Sequence, residues 1–374
     1  MTQLTKTGTH GIEHEDDPYG WQYDHFAIVY VQSSGDYWLN KDEVIKNLYK
    51  IHAKSSADQK ILLHFTYQAF SIKLSGMYDI LLDFLKNTKR NPNTIFIHSP
   101  SINEDYLGFK NIFKDEHLHC DEFYNCQGYW VDEVRYPDNS SKRFAHLIGR
   151  ETTPRLKLFF DIYRYDLSDY FFLSKLDSDD IKPDWQLDEK VYDSLNLWFT
   201  SDEQPQFINW YENRFDVKSV DNLNVNDQYD PTKTARRNIV QRSNEYFIDV
   251  VFETITIGDV FAPTEKLIRS LITEKPFIVY ASANFLKQMQ DIGFKTFSDV
   301  WDESYDGFEL TKRYDLMLTL IKQVCAMPPD KFQNLIKKTQ DICKYNKQML
   351  KELIISNTNC KTFDEWINKV RNIT

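Results

Sequence analysis

Short apolar runs alternating with amphipathic stretches of helical length set the strongest limit on what this chain folds into. His25–Gln32 (HFAIVYVQ), Lys60–Phe65 (KILLHF) and Thr94–His98 (TIFIH) have strand length and apolar side chains on both faces, as strands buried on two sides require. Between them Asn40–His52 and Ser71–Asn87 read as helices. In the second, Ile72, Met77, Ile80, Leu81, Phe84 and Leu85 share one face, the packing stripe expected against a sheet. Strand, helix, strand in repetition dictates a parallel sheet covered by helices.

The pattern pauses at Tyr136–Lys142 (YPDNSSK), a cluster of turn formers that reads as a linker. It resumes with Arg143–Ile148 as a strand, Pro154–Tyr165 as a helix and Tyr170–Leu173 as a strand. The polar stretch Asp177–Pro231, with scattered Trp, fits only an insertion with short helices. Tyr246–Glu253 (YFIDVVFE) is suited to a central strand despite Asp249. A helix from about Thr264, a strand Pro276–Ala281 and a helix Asn284–Ile292 follow, the last closed by Gly293, which tolerates positive φ. The remainder is helical, broken at Pro328-Pro329. The expected architecture is α/β: two Rossmann-like halves over residues 1–140 and 141–310, then helices over 311–374.

Composition narrows the function. The 374 residues suffice for two domains with well-formed cores, and 15% aromatic residues supply bulky ones. A formal charge of −11 repels polyanions over most of the surface, so a duplex DNA partner requires a local basic patch. Met1–Tyr19 lacks an apolar leader and no run of about 18 apolar residues occurs, so no membrane span and a cytoplasmic location are expected. The five cysteines, Cys120, Cys126, Cys325, Cys343 and Cys360, are scattered and odd in number, which argues against a disulfide framework.

The 11 glycines compose neither GxGxxG nor GxxxxGK, so any nucleotide phosphate must be held by a helix N-terminus with Lys or Arg side chains. Thr-Glu-Lys occurs twice, at Thr264–Lys266 and Thr273–Lys275. The first copy follows the strand Tyr246–Glu253 and a turn carrying Gly258 and Pro263. Thr264 is there placed to cap a helix whose first turn holds Glu265 and Lys266, at the carboxyl end of a parallel strand, where open α/β sheets bind ligands. The second copy ends the same helix before Pro276, so Lys275 is expected to serve only the turn into the next strand.

Phe252-Glu253-Thr254, Pro263-Thr264-Glu265-Lys266-Leu267 and Pro276-Phe277-Ile278-Val279-Tyr280, in that order, resemble the donor-binding segment of fucosyltransferase-like glycosyltransferases. The segment Phe285–Glu303 also resembles glycosyltransferase-like proteins of phages and marine bacteria. The resemblance implies the GT-B fold, two Rossmann-like domains facing across a cleft, with a nucleotide-sugar held by the C-terminal one. It implies that Glu265 bonds the donor ribose and Lys266 the diphosphate, with Glu253 and Thr264 in the same donor-binding segment. A diphosphate-binding arginine is implied at the strand-to-helix turn Gly149–Arg155, Arg155 first and Arg150 second. Thr254 stands where the family has Asn, and Ala262 where it has an aromatic residue.

The function so implied is transfer of a sugar from a nucleotide diphosphate sugar to a carbohydrate or other hydroxyl acceptor, inverting, with no metal and no cofactor beyond the donor. A general base is sought at strand ends of the first half, where Asp36 and His98 are the candidates, with Glu104 and Asp105 nearby. Two other readings are a phage enzyme of this fold with nucleic acid as acceptor, acting on a modified base, and a non-catalytic binding or scaffold protein with a decayed donor site. Three further constellations stand apart: the DxD Asp177-Ser178-Asp179, the group His117, His119, Cys120 and Cys126, and the basic stretch Lys233 to Arg242. The first reads as a solvated loop, the second has no standard zinc spacing, and the third is either a cleft mouth or a solvated helix face.

Overall fold

The structure, a computed structural model, describes residues 7–8, 26–31, 33–34, 37–38, 41–56, 58–65, 75–98, 110–111, 130, 134, 136–138, 141–148, 152–175, 190–213, 240–258, 261–357, 361–362 and 365. The chain divides into two compact units, one of Met1–Glu122 with Gly258–Thr264, the other of Phe123–Ile257 with Glu265–Thr374. Asp36, Glu104, Asp105, Arg150, the DxD at 177–179, the His117–Cys126 group and most of the basic stretch lie outside the described residues.

The first unit is a parallel sheet. Its strands are β1 (Thr7–Gly8), β2 (Phe26–Val31), β5 (Lys60–Phe65), β6 (Ile95–His98) and β7 (Lys110–Asn111), in the order β1-β2-β5-β6-β7. A short antiparallel pair, β3 (Ser33–Ser34) and β4 (Tyr37–Trp38), precedes α1 (Lys41–Lys54); α2 is Met77–Thr88. Register sets Phe26 beside Lys60 and Ile61 beside Ile95. Because the sheet order is the chain order, every crossover advances the same way, and right-handed connections then put α1 and α2 on one face. The core agrees: Val29, Val31, Ile61, Leu63, Ile95 and Ile97 pack with Val44, Leu48 and Ile51 of α1 and Met77, Leu81 and Phe84 of α2. Of the apolar stripe read along α2, Met77, Leu81 and Phe84 make this contact with Leu85 packed beside them, while Ile80 is outside the cluster and Ile72 outside the described residues.

The second unit holds a four-stranded parallel sheet of β8 (Lys142–Ile148), β9 (Phe171–Lys175), β10 (Tyr246–Phe252) and β11 (Phe277–Tyr280), in the order β11-β10-β8-β9. The chain builds β8 and β9 outward, returns to the other side of β8 for β10, and continues to β11. Order therefore reverses between β8 and β10. Its helices are α3 (Thr153–Arg164), α4 (Lys190–Trp198), α5 (Glu203–Asn213), α6 (Glu265–Ile272), α7 (Phe285–Asp291), α8 (Leu310–Cys325) and α9 (Pro329–Asn357).

Strand β10 is buried at every position, Asp249 included. That carboxylate is tolerated because Ser270 donates to it at 2.7 Å and Arg269 pairs with it at 3.4 Å. The stretch that the sequence leaves unplaced contributes α4 and α5; Phe199, just after α4, and Phe207 and Trp210 of α5 pack around Phe160 of α3. On α3, Asp161 accepts from Lys157 and from Tyr314 of α8, each at 2.7 Å. Helix α8 recrosses the sheet: near its start Arg313 bonds the carbonyl after β11, and at its end the Val324 carbonyl accepts from Arg143 of β8. The break at Pro328-Pro329 separates α8 from α9, as expected. Gly293, after α7, has φ 103°. Among the described residues no helix is long and apolar enough to cross a membrane.

Candidate functional site

Of the predicted donor-binding residues, Arg155, Glu253, Glu265 and Lys266 lie at the carboxyl edge of the second sheet; Arg150 is outside the described residues and Thr264 groups with the first unit. In a parallel sheet, connections leave adjacent strands in opposite directions only where the order reverses, opening a crevice beyond the strand ends. Here that place is between β8 and β10, the strands that precede α3 and α6 in the chain.

From the β8 side comes Arg155, in the first turn of α3. Pro154 suits that turn because its missing N–H is one the helix leaves unpaired. The Arg155 guanidinium is buried and its Nη2 donates to the Phe252 carbonyl, the last of β10, at 3.0 Å. It thus bridges the two strands at the reversal. His146 of β8 steadies the same turn: its Nε2 lies 3.0 Å from the Arg155 carbonyl. A carbonyl only accepts, so Nε2 carries the proton. Burial pushes this imidazole down to about 4, so the ring is neutral at pH 7.

From the β10 side come Glu253, Thr254, Glu265 and Lys266. Glu253 is buried, its N–H bonded to the Tyr280 carbonyl at 2.9 Å. Thr254 is exposed, and Gly258 turns the chain with φ 68°. Lys266 donates to Glu265 Oε1 at 2.7 Å and to Thr254 Oγ1 at 3.4 Å. This ties the helix start to the end of β10. Glu265 and Lys266 occupy the first two positions of α6, with side chains 24% and 18% exposed, reachable by a ligand yet already ordered. Thr264 stands directly before them, buried, in the segment that groups with the first unit. Two cations and two carboxylates on one edge suit a ligand that is anionic at one place and bears hydroxyls at another.

The second Thr-Glu-Lys sits at the opposite edge. Lys275 is buried and donates to the carbonyl of Tyr246, the first residue of β10, at 2.9 Å. It reaches past the turn it was expected to serve and holds the strand beyond. Arg242, the last of the basic stretch, also lies at that amino end, bonded twice to Glu245 at 2.5 and 2.7 Å. Of His98, only the backbone is described; it ends β6 beside His64.

Sequence reasoning missed two residues of the carboxyl edge, His146 and Arg313. Arg313 left a trace, since it falls in step with Met317, Ile321 and Val324 on the apolar face of α8; His146 lies within a strand and left none. Among the described residues no group of three or more His, Cys, Asp or Glu side chains is placed to hold a metal ion. A scan against protein-family models and a search of curated proteins each find no match to this chain.

Proposed function

We propose that this chain is a glycosyltransferase of the GT-B type, moving a sugar from a nucleotide diphosphate sugar to a hydroxyl acceptor with inversion and without a metal. The observation that carries the reading is the reversal of strand order between β8 and β10, with Arg155 and the Glu265–Lys266 pair at its two sides. The likeness of residues 252–254, 263–267 and 276–280 to fucosyltransferase donor segments supports it.

In this mechanism the acceptor hydroxyl attacks the anomeric carbon as a base takes its proton, and the sugar–phosphate bond breaks with its electron pair going to the nucleoside diphosphate. Lys266 and Arg155 stabilise the charge developing on that leaving group, as cations already held in place. Glu265 accepts from the ribose hydroxyls. For the base, Asp36 and His98 are the candidates. The charge of −11 favours a carbohydrate or other neutral acceptor over DNA.

Thermal shift against UDP, GDP, ADP, CMP and dTDP tests the reading. At least one nucleoside diphosphate should raise the melting midpoint, Lys266→Ala should abolish the rise, and Lys275→Met should keep it. No stabilisation by any of them, or an unchanged rise in Lys266→Ala, defeats the proposal.

A further inference from the structure

Arg313 is the largest fully buried side chain in the described residues, and its charge is met in an unusual way. No carboxylate oxygen of the described residues forms an ion pair with it. Its partners are three backbone carbonyls: Nε donates to Phe308 at 2.7 Å, while Nη1 donates to Thr256 at 3.1 Å and to Ala281. The guanidinium also stands over the Tyr280 ring, 5.5 Å from its centroid. Burying a cation opposes folding even with the Asp306 and Glu309 carboxylates near enough to favour its charge, and an apolar residue of similar shape would pack this helix face without that opposition.

What the arginine supplies is geometry. Thr256 lies in the turn after β10 and Ala281 in the turn after β11, beyond the strand ends, where the sheet no longer bonds the backbone. A planar group with several fixed N–H directions joins both turns to the start of α8, which a lysine or a methionine cannot do. A second feature marks the same joint. Leu310, the first residue of α8, has φ 31°, a left-handed conformation that a leucine adopts only when its surroundings hold it there. Tyr280 donates to the Leu310 carbonyl at 3.1 Å, from the end of β11.

We infer that Arg313 is a positioning residue, a clamp that sets the turn 253–258, and with it Glu253 and Thr254, for ligand binding at the carboxyl edge of the second sheet. The inference rests on the donor-site reading for its ligand, whereas the clamp itself is read without one.

The experiment compares full-length wild type, Arg313→Lys, Arg313→Met and Phe332→Leu by hydrogen exchange of the free protein, then by calorimetric titration with the nucleoside diphosphate that stabilises wild type. Phe332 packs edge-on against Phe247 near the amino end of the sheet, so its variant controls for general loss of stability. Arg313→Lys and Arg313→Met should raise exchange about tenfold in 253–258 and 281–284 beyond the control. They should also weaken binding about tenfold or more at temperatures well below unfolding. Exchange in those segments no faster than in Phe332→Leu overturns the clamp, whatever the ligand result. Faster exchange with unchanged affinity overturns its role in binding. Faster exchange in a protein whose wild type binds no nucleoside diphosphate overturns the donor-site reading and leaves the clamp standing.

Discussion

The buried Lys275 makes the most quantitative claim on the second unit. Only 3% of the residue is exposed and its ammonium meets the Tyr246 carbonyl. Burial pushes it from 10.5 down to about 8, with Asp249 offsetting part of the drop. A lysine depressed in the native state binds its proton less tightly folded than unfolded, so stability rises with pH between the two values. At pH 7 both states are protonated and the burial opposes folding by about 3 kcal/mol; by pH 9.5 that opposition has fallen to about 1.5 kcal/mol. Lys275→Met removes the titration and keeps the volume. Urea unfolding of both proteins at pH 7 and 9.5, followed by tryptophan fluorescence, should therefore show wild type gaining about 2 kcal/mol on the variant as pH rises. A difference that stays constant within about 0.5 kcal/mol refutes the reasoning, since the amine would then titrate alike in both states.

Two further outcomes test the packing. Gly293→Ala should destabilise by about 1–2 kcal/mol in urea unfolding, because φ is 103° and the added Cβ would lie 2.8 Å from Met349 Cε. Phe207→Ala should destabilise by about 3–5 kcal/mol, since this fully buried ring stacks on Phe199 at 4.3 Å and meets Phe160 and Trp210. A milder loss would mean that α5 does little to hold α3.

Much of the fold was legible because the periodicities are local. Val29, Ile61 and Ile95 sit in apolar runs of strand length, too short for a helix, and Met77, Leu81 and Phe84 recur at the pitch of a helix. Gly293 and Pro328-Pro329 punctuate the chain through φ preference and a missing N–H, which neighbours do not change. The strand Tyr246–Phe252 was readable as central despite Asp249; its partners Ser270 and Arg269, about 20 residues away, were not, because a buried carboxylate is satisfied by whatever the fold brings to it.

Strand order was illegible for the same reason. Both halves alternate strand and helix alike, yet one sheet follows the chain and the other reverses between β8 and β10, a choice made by which edge of β8 the chain returns to. The two Thr-Glu-Lys words show where each kind of information ends. Sequence alone assigned one to a helix start and the other to a helix end, through capping and proline. Only the tertiary structure put Lys266 against Thr254 at the carboxyl edge and Lys275 against the Tyr246 carbonyl at the amino edge. Identical side chains acquire different work there, because burial and the nearest unpaired backbone group are properties of the packed sheet and of no short segment within it.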